Sequence, residues 1–279
     1  MMTKHHTKAP LPFVGQKRNF IKTFKNELNN IPADGAGWTI VDAFGGSGLP
    51  AHVAKHTKPA ARVVYNDFDG YTERLRHIPD TNRLRQTLAA VLADYPRDKH
   101  LDKPTQSRVV AAIRNFNGYK DLNCLRSWLL LSSNQAGTMA ELFDKHMYNG
   151  IRRSDYPDAQ DYLRGLEIVS QPFQTLLPQY IGKPQTLLVF DPPYVSTMQG
   201  MYANKHYFGM VRFLQLMRLV RPPFVFFSST RSELMDYLDF LEQYRPIEWT
   251  VFDGVTSVKL ITEIAKKVGY EDNMIFKFD

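Results

Sequence analysis

Trp38-Thr39-Ile40-Val41-Asp42-Ala43-Phe44-Gly45-Gly46-Ser47-Gly48 reads as a short apolar strand that runs into a glycine-rich turn, after which Leu49-Pro50-Ala51-His52-Val53-Ala54 opens a helix. Glycine adopts positive φ without strain and lets the backbone come close to a ligand. A helix that starts just beyond such a turn also presents unpaired amide N–H groups there. The plain structural alternative is a tight strand-to-helix connection. Gly45, Gly46 and Gly48 do not have the G-x-G-x-x-G spacing, and the chain has no G-x-x-x-x-G-K-[ST] phosphate loop. The next apolar run, Ala61-Arg62-Val63-Val64-Tyr65-Asn66-Asp67-Phe68-Asp69, ends in an acid about 20 residues beyond the turn, where alternating folds place the acceptor for ribose hydroxyls. Asp67 ends the run and is preferred; Asp69, just past it, is the alternative.

This strand–helix–strand order, from about residue 10 to 70, resumes from 164 to 279 with Leu166-Glu167-Ile168-Val169, Thr186 to Phe190, Pro223 to Ser228 and Asn273 to Phe278. Alternation of this kind predicts an α/β fold with a mostly parallel sheet and helices on both faces. The stretch between, 71–163, is rich in Arg and Leu and poor in strand signals. Helices are expected there over Asp80 to Asp94, Thr105 to Asn115 and Leu122 to Ser132. Ligands in such sheets collect beyond the carboxyl ends of the strands, where Gly45, Asp67 and Asp191 would lie.

The second informative stretch follows the strand Thr186-Leu187-Leu188-Val189-Phe190. It is Asp191-Pro192-Pro193-Tyr194. Both prolines fix φ and lack an N–H, and Pro193 holds Pro192 extended, so the chain leaves the strand stiffly with its carbonyls free. Asp191 and the Pro192 carbonyl can accept two hydrogen bonds from one amino group, while Tyr194 offers a stacking face. Two acceptors hold the amino lone pair out of the plane of an attached ring, which makes the nitrogen a better nucleophile. A strand-ending turn is the unremarkable alternative, since Asp and Pro are ordinary turn residues.

With these residues in view, the chain resembles the S-adenosylmethionine-dependent DNA adenine methyltransferases of the alpha group, the Dam-like class of bacteria and their phages. Four segments carry the likeness. Pro12-Phe13-Val14-Gly15-Gln16-Lys17-Arg18 is similar to the N-terminal cofactor motif of that class, and Asp42 to Gly48 to its D-x-F-x-G-x-G loop. Asn66-Asp67-Phe68-Asp69 is similar to its acidic ribose motif, and Asp191 to Tyr194 to its catalytic tetrapeptide. The resemblance implies a Rossmann-like methyltransferase fold, with a catalytic domain made of 10–70 and 164–279. It makes 71–163 an inserted helical target-recognition domain. It implies S-adenosyl-L-methionine bound by Phe13, Gly15, Lys17, Asp42, Phe44, Gly45, Gly46, Gly48, Asp67 and Asp191. Catalysis would rest on Asp191, Pro192, Pro193 and Tyr194, acting on the N6 of a flipped adenine. Double-stranded DNA is the implied partner, and a cognate restriction endonuclease an optional one. Cytosine-N4 methylation, protein or RNA amino-group methylation, and a non-catalytic DNA-binding module are the alternatives.

The chain departs from the family in two places. Ser133-Asn134-Gln135 and Tyr148-Asn149-Gly150-Ile151-Arg152-Arg153 stand apart where the family has one continuous motif. Pro172 stands where an acid near the cofactor adenine is expected, with Gln171 as the available substitute. Asn149, Arg152, Arg153 and Ser154 are the insert's candidates for DNA contact, either to guanine edges or to phosphates. Tyr207 or Phe208, in the long segment after the tetrapeptide, is a candidate to pack on the flipped base or to anchor that loop.

Composition agrees with this reading. The 279 residues are 43% hydrophobic, enough for a substantial core, and carry a net charge of +7, which attracts a phosphate backbone. Lys4, Lys8, Lys17, Arg18, Lys22 and Lys25 against Glu27 suggest a basic arm near the site. The one cysteine, Cys124, excludes an internal disulfide and a multi-cysteine zinc site; its apolar neighbours point to a buried helix rather than a nucleophile. His52 and His56 share a helix face but lack the glutamate and third ligand of a zinc motif, so no metal is expected and both are read as exposed or capping residues. No apolar run approaches a bilayer span and no signal-peptide core is visible, so a cytoplasmic location is expected.

Overall fold

The computed structural model of the protein describes residues 6–131, 134–195, 208–229, 232–265 and 268–279. Seven strands form one sheet: β1 (Thr39–Asp42), β2 (Arg62–Asn66), β3 (Glu167–Val169), β4 (Thr186–Phe190), β5 (Phe224–Ser229), β6 (Thr256–Ala265) and β7 (Val268–Lys277). Their order across the sheet is β3-β2-β1-β4-β5-β7-β6. β2, β1, β4 and β5 pair in parallel, with Asp42 opposite both Tyr65 and Val189. β7 enters antiparallel between β5 and β6. The chain leaves β1 toward β2 on one side and reaches β4 on the other, which opens a crevice at the carboxyl end of β1.

The central strands form where the sequence is apolar throughout. All five residues of β4 and all six of β5 are buried, the signature of parallel strands covered on both faces. Alternate side chains divide between two apolar clusters, as the twofold period of a strand requires. Ile40, Val63, Tyr65, Leu187, Val189, Val225, Phe227 and Met274 face one cluster. Val41, Val64, Leu188, Phe190, Phe224, Phe226 and Ile275 face the other.

The helices are α1 (Ile21–Glu27), α2 (Leu49–Thr57), α3 (Tyr71–Arg76), α4 (Ile78–Val91), α5 (Lys103–Asn115), α6 (Leu122–Leu129), α7 (Met139–Asp144), α8 (Phe173–Leu176), α9 (Met210–Met217), α10 (Glu233–Tyr244) and α11 (Trp249–Phe252). α3 to α7 fall in the segment expected to be helical, and Asp102, Asp121 and Thr138 cap α5, α6 and α7 with side-chain oxygens. Leu84, Leu88, Val109, Ile113, Cys124 and Trp128 of this segment pack in the same cluster as Ile40 and Tyr65, so the insert shares the first face's core. A buried ion pair fastens it: Arg74 Nε donates to Asp121 Oδ2 at 2.8 Å, and its Nη2 donates to the Pro12 carbonyl at 2.8 Å. Cys124 is buried in α6, as its neighbours predicted.

His52 corrects the sequence reading. It is 1% exposed; its Nδ1 lies 2.7 Å from the Tyr162 carbonyl and its Nε2 accepts from the His6 amide at 2.9 Å. The donor at His6 therefore fixes the proton on Nδ1. His52 faces inward because it lies one turn into α2, against the end of the insert, with its ring stacked on Tyr162 at 4.7 Å. No helix among the described residues is long and apolar enough to cross a membrane.

Candidate active site

Two carboxylates, one buried and one half-buried, face the crevice. Asp42 ends β1 and Asp191 follows β4, both continuing the face that carries Ile40 and Val189. Asp42 is 1% exposed, and the nearest donors to its oxygens, the Ala51 and Phe44 amides, fall outside full hydrogen-bond geometry. Burial, and then the charge of Asp191, push its carboxyl up to about 8, against a smaller opposing pull from the Ala51 and Phe44 amides. Asp191 keeps 21% of its side chain open at the crevice mouth, and Lys17 Nζ lies 2.9 Å from its Oδ1. Burial raises the Asp191 carboxyl, Lys17 draws it back down, and Asp272 on β7 adds a smaller upward push. Lys17 Nζ also donates to Tyr194 Oη at 3.5 Å and stands 5.6 Å from the centre of its ring. The N-terminal segment thus delivers one cation to both ends of the tetrapeptide, and Pro192 between them is buried.

The glycine turn is shaped by what lies under it. Gly48 caps α2 with φ of 70°, and a Cβ at Gly45 would stand 2.2 Å from the ring of Tyr65. A Cβ at Gly46 would meet Phe13 at 2.9 Å, which puts Phe13 over the turn. Gly15, with φ of 82°, turns the segment between Phe13 and Lys17. Tyr65 Oη lies 2.8 Å from the Gly46 carbonyl and 3.1 Å from Asp67 Oδ1. Asp67 in turn accepts from the amides of Tyr71 (2.6 Å) and Thr72 (2.9 Å), at the start of α3. Asn66 ties three strand ends together: its Nδ2 donates to the carbonyls of Ala43 and Gln171, both at 2.9 Å, and its Oδ1 accepts from the Gln171 amide. Phe44 packs with Phe173 and Phe208 at 5.5 and 5.9 Å between ring centres. The side chain of Gln171 turns outward, accepting from Gln179 Nε2 at 2.8 Å.

The structure therefore gathers Phe13, Gly15, Lys17, Asp42, Phe44, Gly45, Gly46, Gly48, Asp67 and the tetrapeptide around one crevice. The insert's candidates divide. Arg152, Arg153 and Ser154 are exposed; Arg152 stacks over Tyr156 at 4.6 Å and donates to the Ser154 carbonyl. Asn149 is 3% exposed, and its Nδ2 donates to the carbonyls of Tyr95 and Pro96 at 3.0 and 3.4 Å. That is a bracing role inside the insert, because its amide is spent on a neighbouring loop's main chain. Tyr207 lies outside the described residues. Sequence reasoning missed Tyr65, Asn66 and Asp272, all within strands, where a polar group reads as incidental to packing. The run Asn66-Asp67 was the available signal for Asn66.

No family model matches the chain. It is 47% identical over 277 residues to a protein of Haemophilus influenzae (strain Rd) provisionally named a methyltransferase, covering 99% of this chain and 94% of that one.

Proposed function

Because the chain belongs to the methyltransferase family shared with that relative, we propose that it transfers a methyl group from S-adenosylmethionine to the exocyclic N6 of an adenine flipped out of double-stranded DNA. The observation that carries this reading is the tetrapeptide: Asp191-Pro192-Pro193-Tyr194 leaves a buried central strand beside the glycine turn, with Lys17 2.9 Å from Asp191.

The residues present suit the cofactor. Asp42 has two buried carboxyl oxygens with no full hydrogen bond among the described residues, and the cationic amino group of a methionine moiety would supply the charge that ionises it and pairs with it. The glycine turn, with Phe13 against it, gives room for close approach, and Asp67 stands at the ribose position. When bound, S-adenosylmethionine supplies an electrophilic methyl group on a sulfonium sulfur. The chain's own residues do the rest. Asp191 and the Pro192 carbonyl accept the two amino hydrogens of the base and turn the nitrogen lone pair out of the ring plane. Tyr194 stacks on the ring. Lys17 orients the Asp191 carboxylate and partly offsets the upward push of burial on it. Positioning and preset electrostatics account for the rate. The net charge of +7 and the exposed Arg152 and Arg153 suit a phosphate backbone.

Asp191→Ala tests the assignment. Transfer of labelled methyl to duplex DNA should be lost, while S-adenosylhomocysteine binding should remain measurable by calorimetry, weakened only by the loss of Asp191's own contact to the cofactor. Near-normal turnover by this variant overturns the role given to Asp191.

A further inference from the structure

Tyr65 is fully buried in β2 and touches both halves of the crevice. Its hydroxyl lies 2.8 Å from the carbonyl of Gly46, in the turn, and 3.1 Å from Oδ1 of Asp67, the acid at the ribose position. A phenol carries one proton, so the two acceptors share it. Its ring also fills the space that a side chain at Gly45 would need. Packing alone needs the ring; the hydroxyl is an added feature aimed at two polar groups of the site.

The donors around Asp67 are unequally divided. Oδ1 receives the Tyr71 amide at 2.6 Å and shares the Tyr65 proton, and both contacts are buried. Oδ2 receives the Thr72 amide alone, at 2.9 Å, in a partly buried contact. A carboxylate has about four acceptor directions, two on each oxygen. Three are filled, and the remaining one is on Oδ2, on the more open side. We propose that Tyr65 is a positioning residue: its hydroxyl locks Asp67 so that Oδ2 alone is offered to the cofactor, and the crevice grips one ribose hydroxyl rather than two. This rests on the cofactor reading above and extends it to a residue that touches no ligand.

Two consequences separate this role from a structural one. Loss of the Tyr65 hydroxyl weakens cofactor binding through Asp67, so the effects of changing the two residues are not additive. Removing one ribose hydroxyl from the ligand costs affinity, whereas removing the other costs little. The experiment is calorimetry of the full chain with S-adenosylhomocysteine and its 2′-deoxy and 3′-deoxy forms, for the wild type, Tyr65→Phe, Asp67→Asn and the double variant. Thermal melts of each variant report on folding. One deoxy form should bind about tenfold more weakly to the wild type and the other within about twofold of the parent. Tyr65→Phe, which keeps the ring, should weaken S-adenosylhomocysteine about tenfold, with the loss in kinetics carried by KM for the cofactor rather than by kcat. The double variant should be no weaker than Asp67→Asn. Equal losses for both deoxy forms, wild-type affinity in Tyr65→Phe, or strict additivity would overturn the proposal while leaving the proposed function standing. Failure of the wild type to bind S-adenosylhomocysteine at all would overturn both.

Discussion

Asp42→Asn should change how stability depends on pH, in a direction the buried carboxylate dictates. In the folded protein its carboxyl is raised from the usual 3.8 to about 8, mainly by burial and next by the charge of Asp191. An acid with a raised folded value holds a proton that the unfolded chain has already released. Its contribution is fully present below the unfolded value and is lost as pH climbs from about 4 through about 8. The gap corresponds to about 6 kcal/mol at about 1.4 kcal/mol per pH unit. Relaxation and water entry around the newly charged group take back part, leaving an expected 2–4 kcal/mol, on the order of other buried carboxylates. Asparagine has the same shape and nothing to ionise. Urea denaturation of the ligand-free wild type and variant, at steps from pH 5 to pH 9, isolates the effect in their difference. The variant should gain on the wild type steadily up to about pH 8 and hold that lead above it. Any fixed cost of the unpartnered amide moves the whole difference without altering its slope. Parallel stability curves would refute the picture of Asp42 as a buried acid whose carboxyl is held well above its unfolded value.

Gly45→Ala should cost about 1–3 kcal/mol of stability and at least tenfold in cofactor affinity, because a Cβ there would stand 2.2 Å from the Tyr65 ring and 3.0 Å from the Asn66 carbonyl; denaturation and calorimetry check the two effects separately. Arg74→Met should destabilise by about 3–5 kcal/mol, since it leaves Asp121 charged, fully buried and without its guanidinium partner. Adding Asp121→Asn to that variant should recover part of the loss in the same denaturation assay.

The fold was readable where burial is two-sided. Thr186 to Phe190 and Pro223 to Ser228 announce themselves as strands because parallel strands inside an α/β sheet have no solvent face to break the apolar run. β6 escaped notice because Thr256-Ser257-Val258-Lys259-Leu260 mixes polar and apolar residues, as an edge strand does, and draws its pairing from β7. The closing strand is legible only over its apolar half, and its start at Val268 follows from the β6 hairpin. At the site, Asp42, the glycines and the tetrapeptide were legible because strand-end position and backbone chemistry are local properties. The Lys17–Asp191 pair was not, since it joins segments far apart in sequence. Asn149 shows the converse failure: an asparagine beside two arginines reads as surface, yet main-chain hydrogen bonds with Asp98 and Lys99 hold it against that loop, where its side chain binds the carbonyls of Tyr95 and Pro96. The burial of His52 is likewise invisible to helical periodicity, because Tyr162, far along the chain, covers it.

The central claim is that the crevice methylates the amino group of adenine in DNA. Its most direct test is incubation of the purified chain with unmethylated duplex DNA and methyl-labelled S-adenosylmethionine, followed by digestion to nucleosides and mass spectrometry. Label is predicted in N6-methyldeoxyadenosine and absent when Asp191→Ala replaces the wild type. Label in N4-methyldeoxycytidine, or none in DNA beside label in RNA or protein offered under the same conditions, would contradict the account.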